Sequence, residues 1–419
     1  MRARLTAGAF WLALALVWWW FAGGSVRAHF STDDTNNLYR YWQMGWAGLL
    51  QANLLFFSDG YRPAGGVLYL AVYSLFGFQI AAFRAVCLSL VLLNIGVLYF
   101  TAREVTGDRY TAAAATVLGS IHPALMLIWY SNGTLFDSLC YLFFCSTLLA
   151  YLRGAYAALV LILFAGALNS KEMAVTLPLV CAAHDWFAST RRLRLLSAMF
   201  TMSVAFAVGK AISPLAASTA YHPVFTASRY LETSRSLLAA IFQMPFSDAM
   251  LICAYLLMTV HVLFVRSRAL TVAAVLAIFG FLPLNFITPR EPFVVYLPLA
   301  GWAMYVALTL SQLRLRGVWI VSAAFGVAVT LNAAYLSRQG DPIGATMPMR
   351  RLVESFRKVD PKPAPGSCVL LTGDPFYPDW DTYFLAKLYF RDPSVRVRFS
   401  PPDAALRGEE CSPIDTTVR

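Results

Sequence analysis

Long apolar stretches recur from one end of this 419-residue chain to the other, and they restrict its fold more than any other feature. A helix needs about 20 apolar residues to cross a bilayer, and only helices or closed barrels satisfy their backbone polar groups in hydrocarbon. About eleven stretches of roughly this length lie near 7–26, 84–102, 111–129, 137–152, 155–169, 173–187, 196–214, 246–265, 269–287, 294–311 and 317–336. The sequence therefore predicts an α-helical polytopic membrane protein with about 11 transmembrane helices.

One further apolar piece, 64–80, is short and contains Gly65, Gly66 and Gly77. We interpret it as a helix that lies at the membrane interface, in the first outer loop, without crossing the bilayer.

The arginines between the apolar stretches predict the orientation. If the N-terminus is cytoplasmic, the short outer loops hold only Lys171 and Arg290, as the positive-inside rule requires. Counting 64–80 as a span would reverse every later loop, so the interfacial interpretation is favoured. Because the basic residues are dispersed, the net charge of +11 does not indicate a nucleic-acid partner. The inner loops then hold Arg2, Arg4, Arg103, Arg109, Arg153, Arg191, Arg192, Arg194, Arg266, Arg268, Arg314 and Arg316.

The first apolar segment allows two interpretations. Its basic start, apolar centre and Val26-Arg27-Ala28 end are also typical of a cleaved signal peptide. The bulky run Trp18-Trp19-Trp20 favours a membrane anchor. With the anchor retained, the protein is an integral inner- or plasma-membrane protein that is in contact with membrane lipids.

Two domains are predicted, a transmembrane domain of residues 1–336 and an extracytoplasmic domain of residues 337–419. The odd number of spans places the second domain outside. Its two β-like runs, 368–371 and 395–399, flank a helical stretch near 383–389 and suggest a small α/β module. Cys368 and Cys411 fall in this module, where an oxidising compartment would allow them to pair or leave them free.

Acidic and basic residues gather at the predicted outer boundary of the membrane. Asp33 and Asp34 follow the first span, and Arg62, Asp137, Lys171, Glu172 and Arg290 come from loops far apart in sequence. Arginines hold a phosphate well, and a neighbouring carboxylate can accept the proton of an attacking hydroxyl. The pattern suits a substrate that is part lipid and part anionic head group.

These motifs resemble those of the membrane-embedded glycosyltransferases of the C superfamily (GT-C), which use polyprenyl- or dolichyl-phosphate sugars. The likeness is to protein O-mannosyltransferases, including the transmembrane-and-tetratricopeptide type and its bacterial relatives, although no such repeats follow here. It covers roughly residues 7–311, with each motif weak alone and their order more specific. The motifs are Asp33-Asp34, Tyr61-Arg62-Pro63 with Gly65, His122-Pro123 with Asp137, Ser170-Lys171-Glu172, and Arg290-Glu291 with Tyr296-Leu297-Pro298.

The resemblance implies the site roles and the activity. Asp33 would be the catalytic base, with Asp34 beside it as a second catalytic or acceptor-binding carboxylate. The donor would be a polyprenyl-phosphate sugar, the acceptor a hydroxyl on a protein, glycan or lipid, and the displacement inverting, without metal or cofactor. The predicted binding residues for the donor phosphate and the substrates are Arg62, Asp137, Lys171, Glu172, Arg290, His122 and Lys210.

Structural interpretations exist for the same residues. An aspartate pair or a lone Asp137 can cap a helix, Lys171-Glu172 can be a local ion pair, and Lys210 can extend to the interface. A flippase or transporter is the alternative function, and it predicts charges near the midplane and two related halves. An inactive GT-C-like assembly partner is the other alternative.

Overall fold

Helices form nearly all of the fold, and the strands are confined to the C-terminal region. The structure is a computed structural model, and it describes residues 2–57, 61–187, 191–212, 222–340, 342–359, 362–372, 376, 383–400 and 416–418. Cys411 lies outside the described residues.

The helices follow one another through short turns. In chain order they are α1 Arg2–Ala22, α2 Thr32–Leu54, α3 Pro63–Phe76, α4 Ile80–Thr106, α5 Arg109–Ser120, α6 Met126–Tyr130, α7 Leu135–Leu152, α8 Ala157–Ser170, α9 Leu177–Asp185, α10 Leu193–Ala211, α11 Ala227–Phe242, α12 Asp248–Val265, α13 Arg268–Phe279, α14 Tyr296–Ser311, α15 Gly317–Gln339, α16 Met347–Arg357 and α17 Tyr383–Phe390. The strands are β1 Cys368–Thr372, β2 Arg396–Ser400 and β3 Thr416–Val418.

All of the predicted spans contain helix, but fewer of them are full length. Seven helices among the described residues are long and apolar enough to cross a membrane, and the protein is a multi-pass membrane protein. An eighth candidate is the pair Arg109–Ser120 and Pro123–Tyr130, which is bent by 55° because Pro123 cannot continue a helix. The predicted spans 155–169, 173–187 and 269–287 correspond to shorter helices, α8, α9 and α13, of 14, 9 and 12 residues.

The predicted interfacial helix is α3, and its length agrees with that interpretation. Its 14 residues rise about 21 Å, less than the roughly 30 Å of a hydrocarbon core. Helix α3 packs against α2, and the two consecutive helices form a hairpin. Helix α2 is kinked at Gly45, where φ is 67°. Its position relative to a bilayer stays a prediction.

The loops predicted on opposite sides of the membrane lie at opposite ends of the helices. Helix α7 begins beside Asp137 and ends at Arg153, about 27 Å away for its 18 residues. At this far end Arg153 pairs with Glu104 at 2.9 Å. There Asp185 accepts hydrogen bonds from the Tyr151 hydroxyl at 2.7 Å and the Arg192 N–H at 3.0 Å. Which end faces the cytoplasm stays a prediction.

The C-terminal module is an α/β unit, as the sequence predicts. Strands β1 and β2 are parallel and joined through α17, and the third strand, β3, which was not predicted from the sequence, pairs with the other edge of β1. Cys368 on β1 is disulfide-bonded, whereas the five cysteines of the apolar segments are free. The division at residue 336 stays a prediction.

The module packs on the α2–α3 hairpin. Side chains from α16, α17 and the sheet share one buried apolar cluster with Phe30, Tyr73 and Phe78. The Tyr73 hydroxyl donates to the Leu388 carbonyl at 2.7 Å. Arg391 donates to the Tyr73 and Ser74 carbonyls at 3.1 and 3.3 Å, satisfying the C-terminal end of α3.

We expect Arg391→Ala to loosen the module without unfolding the membrane part. The variant loses two hydrogen bonds from a charged donor, and each is worth about 1.5–3 kcal/mol. Amide hydrogen exchange in residues 383–398 should therefore become about 10-fold faster or more. Arg350→Ala, which removes an exposed ion pair with Glu354 on α16, is the control and should leave exchange at 383–390 close to wild type. Equal exchange in Arg391→Ala and wild type would contradict the prediction.

Candidate active site

The aspartate pair lies in the first turn of α2, and its two members have different surroundings. Ser31 caps the helix: its hydroxyl accepts from the Asp34 N–H at 3.3 Å, and Asp34 Oδ2 accepts from the Ser31 N–H at 2.7 Å. This reciprocal capping box fixes the start of α2. Asp34 is fully buried, while Asp33, one position earlier, is solvent-accessible.

Burial also separates the acidities of the two carboxyl groups. Burial raises the pKa of Asp34 to about 7, against the opposing effect of its hydrogen bonds with Ser31. Partial shielding by the protein raises the pKa of Asp33, while the Arg62 and Arg290 guanidinium groups act to lower it. Asp33 is therefore the member that can meet a substrate, and it lies within electrostatic range of two arginines.

Arg62 is held in an unusual backbone conformation directly before α3. Its φ and ψ are 44° and 57°, a left-handed region that costs a non-glycine residue about 1–3 kcal/mol. Its guanidinium lies over the Tyr61 and Phe136 rings, 4.7 and 5.5 Å from their centroids. It also forms a two-point ion pair with Glu172, with Nη2–Oε2 at 3.2 Å and Nε–Oε1 at 3.4 Å.

The Phe136 contact with Arg62 requires a glycine one turn into α3. A Cβ atom on Gly65 would lie 2.3 Å from the Phe136 ring, far inside van der Waals contact. The Arg-Pro-x-Gly pattern at 62–65 is thus explained by packing as well as by chemistry. The glycine lets α3 approach α7, and that approach brings Phe136 under Arg62.

Lys171 and Asp137 form a second ion pair, which is deeply buried. The Lys171 ammonium contacts Asp137 Oδ1, and their side chains are 5% and 4% exposed. The pair joins the start of α7 to the end of α8, so the Ser-Lys-Glu segment is fixed beside Asp137. The same ammonium lies 5.3 Å from the centroid of Phe293, three residues after Arg290.

Glu172 is more acidic than an ordinary glutamate. Burial acts to raise its pKa, but Arg62, a backbone N–H and Lys171 outweigh that effect and lower the pKa to about 2. Glu172 is therefore a carboxylate at all physiological pH values. It is the one acid of the two pairs that remains open to solvent, with 36% of its side chain exposed.

Arg290 borders a groove next to this cluster. The groove has a volume of about 280 Å³ and is formed by residues 289–292 and by Ser236, Leu237 and Ala240 of α11. Electrostatic interactions and contacts link six of the predicted charged residues. Asp33 lies within electrostatic range of Arg62 and Arg290, Arg62 pairs with Glu172, and Lys171 joins Asp137 to the segment after Arg290. The structure brings these residues to one place, and their roles in catalysis stay predictions.

Behind the aspartates lies a buried network that the sequence prediction of the site left out. Arg84, 2% exposed, donates to the Ser25 carbonyl and to Asn132 Oδ1, both at 3.0 Å, and to the Trp129 carbonyl. The Tyr69 hydroxyl donates to the Asn132 carbonyl at 2.9 Å and lies 3.4 Å from Asp34 Oδ1. A lone arginine inside an apolar helix was the available signal, since such a charge is costly unless it is functional or paired.

His122 and Lys210 are placed differently from the charged cluster. Both ring nitrogens of His122 have backbone partners: Nδ1 accepts from the Ala124 N–H at 3.2 Å, and Nε2 lies 2.8 Å from the Ile241 carbonyl. The ring thus joins the bend after α5 to α11 and leaves no nitrogen for a substrate in this structure. The Lys210 ammonium lies 5.3 Å from the centroid of the Phe206 ring on its own helix. Substrate binding by either residue stays a prediction.

Comparisons with known proteins agree on the fold. No protein-family model matches the sequence, and no curated protein matches it significantly. The structure is similar to two crystal structures of ArnT from Cupriavidus metallidurans. The apo structure has a TM-score of 0.54 at 14% identity, covering 97% of this chain and 88% of ArnT. The structure bound to undecaprenyl phosphate has a TM-score of 0.53 at 14% identity, covering 96% and 87%.

The likeness shows that this chain shares the fold of ArnT. The predicted α-helical polytopic fold class is confirmed, but among the described residues seven or eight apolar spans stand where about eleven were predicted. At 14% identity the likeness concerns the fold alone, and it does not select the mannosyltransferase type suggested by the motifs.

Proposed function

We propose that this protein is a membrane glycosyltransferase that transfers a sugar from a polyprenyl phosphate to a hydroxyl acceptor. The observation that carries the proposal is the charged group at the start of α2, where the solvent-accessible carboxylate of Asp33 lies within electrostatic range of Arg62 and Arg290. A base beside a phosphate site is the minimum that such a displacement requires. ArnT bound to undecaprenyl phosphate, a protein of the same fold, supports a lipid phosphate as donor carrier.

Asp33, Arg62 and Arg290 account for each step of the proposed reaction. Asp33 removes the proton from the acceptor hydroxyl as its oxygen attacks the anomeric carbon. The bond from that carbon to the phosphate oxygen breaks on the opposite face, so the configuration inverts. The electron pair stays on the phosphate, and Arg62 with Arg290 stabilises this charge. No metal or covalent intermediate is needed, because the leaving group is already a stable phosphate.

Three other polar residues have supporting roles in the proposal. Asp34 is buried in the capping box and positions Asp33, whereas Lys171 and Asp137 fix the segment that carries Glu172. The acceptor is a protein, glycan or lipid hydroxyl. The active site and the C-terminal module face the extracytoplasmic side, which is supported by the arginine distribution and by the disulfide bond of Cys368.

The alternative function, a flippase or transporter, is less well supported. It requires ionisable groups near the middle of the spans. Among the described residues, the ion pairs named above lie at the ends of helices, Arg62–Glu172 and Lys171–Asp137 at one end and Arg153–Glu104 at the other. An inactive assembly partner would show no transfer, and the assays below separate it from an enzyme.

We expect Arg62→Ala to weaken binding of undecaprenyl phosphate about 10- to 100-fold, because a charged hydrogen-bond donor to the phosphate is lost. Arg62→Lys should keep part of the affinity, since it retains the charge but not the planar fork. The measurement is the Kd of the lipid for purified protein in detergent. Arg153→Ala removes an arginine of a similar ion pair at the far end of the helices and should bind as wild type. Equal affinity in all variants would contradict the phosphate site.

A further inference from the structure

The two ion pairs of the candidate active site differ in how easily they can open. The Lys171 and Asp137 side chains are 5% and 4% exposed, so their separation would leave two buried charges. The Arg62 and Glu172 side chains are 13% and 36% exposed. Glu172 can therefore leave Arg62 and be solvated, whereas Lys171 and Asp137 are fixed.

Arg62 keeps its position without Glu172. Its guanidinium lies over the Tyr61 and Phe136 rings, and its carbonyl accepts from the Gly65 and Gly66 N–H groups at 3.1 and 3.3 Å. Glu172 begins a short 3-10 helix after Lys171, and 36% of its side chain is exposed. Opening the pair would move the acid and leave the cation in place.

Repulsion between negative charges favours opening of the Arg62–Glu172 ion pair when the donor phosphate binds to Arg62. Arg62 is already paired with the Glu172 carboxylate and lies within electrostatic range of Asp33. A phosphate on the same guanidinium would add a third negative group close to the other two, where like charges repel one another. Departure of the mobile carboxylate removes the larger part of this repulsion, because Glu172 is the one in direct contact.

We propose that Glu172 occupies the donor-phosphate position on Arg62 and is exchanged for the phosphate when the donor binds. The released carboxylate then accepts hydrogen bonds from hydroxyl groups of the sugar or the acceptor. This inference rests on the proposed function. Its consequence is an order of binding: the lipid phosphate comes first, and its arrival creates a polar group for the second substrate.

The test is the Kd of undecaprenyl phosphate for purified wild type and Glu172→Gln. The variant keeps the shape of the side chain and lacks the charge that competes with the phosphate. A partly exposed ion pair is worth up to about 1 kcal/mol, so the lipid should bind about five-fold tighter. The KM for the acceptor should rise at the same time, because the released side chain is a poorer hydrogen-bond acceptor. Glu172→Asp, with a shorter reach to Arg62, should give an intermediate Kd.

Glu104→Gln is the matched control. Glu104 is also 36% exposed and paired with an arginine, but at the far end of the helices, so its Kd should equal that of wild type. Equal or weaker lipid binding by Glu172→Gln overturns the exchange while leaving the glycosyltransferase proposal intact. Failure of the wild type to bind the lipid overturns both. A variant that binds tighter with an unchanged acceptor KM overturns the second role of Glu172.

Discussion

Asp33→Asn lowers sugar transfer by about 10³-fold and leaves binding of undecaprenyl phosphate close to wild type; this is the largest effect on activity that we expect. The amide has the same shape as the carboxylate but cannot accept the acceptor's proton, and a general base contributes about 10²–10⁴-fold. The measurement is release of lipid phosphate from a labelled polyprenyl-phosphate sugar in a single-turnover assay. Because the wild-type pKa of Asp33 is raised, its activity should fall as the pH decreases through that value.

Asp34→Asn is the matched control for this prediction. It makes the same chemical change one residue later, at a side chain that is buried in the capping box. An asparagine can still accept from the Ser31 N–H and donate to the Tyr69 hydroxyl. We therefore expect transfer within about 10-fold of wild type, since a cap is worth about 1 kcal/mol. Transfer by Asp33→Asn at the wild-type rate, or equal losses in the two variants, would remove the assignment of Asp33 as the base.

Lys171→Met should have the largest effect on stability. The substitution leaves Asp137 buried beside an apolar side chain, and breaking a buried pair from one side costs about 3–5 kcal/mol. The double variant Lys171→Met/Asp137→Leu removes both charges and should recover most of this loss, because two packed apolar side chains replace the pair. The measurement is the unfolding free energy in detergent for both single variants and the double variant.

The exposed Arg153–Glu104 ion pair is the control for the loss of stability expected when the buried Lys171–Asp137 pair is broken. Breaking it with Glu104→Gln should change stability by less than about 1 kcal/mol. If Lys171→Met and Glu104→Gln had equal free energies of unfolding, the prediction that the Lys171–Asp137 pair is buried would be contradicted. A double variant no more stable than Lys171→Met alone would show that packing, and not the isolated charge, accounts for the loss.

Much of the fold could be predicted from the sequence, because the length of each apolar stretch alone indicates where a membrane helix lies. Helices α4, α7, α12, α14 and α15 lie where the apolar stretches predict them. The predicted lengths were wrong at α9, which begins only after a 3-10 turn over Glu172–Thr176, and at α13, which ends at Phe279 before Gly280 and Pro283. The strand β3 was missed since only three residues form it and its partner β1 is far away in sequence.

The membership of the candidate site was more predictable than its contacts. Positive-inside counting placed Asp33, Arg62, Glu172 and Arg290 on one side, and the structure brings them together. The pairing of Arg62 with Glu172, 110 residues later, depends on how α3 approaches α7 and α8, and no local pattern encodes that. Arg84 was missed because its partners are mostly backbone carbonyls, which carry no sequence signature.

The apolar cluster shared by the C-terminal module and the α2–α3 hairpin has a consequence for engineering. Side chains of α16 and α17 cover residues such as Phe30 and Tyr73. A chain truncated after α15 would therefore expose this apolar surface to water and tend to aggregate. A chimaera that takes the C-terminal module of another protein of this fold should also take its hairpin. The module and the hairpin would have to be exchanged together, although α3 ends at Phe76 and α16 begins only at Met347.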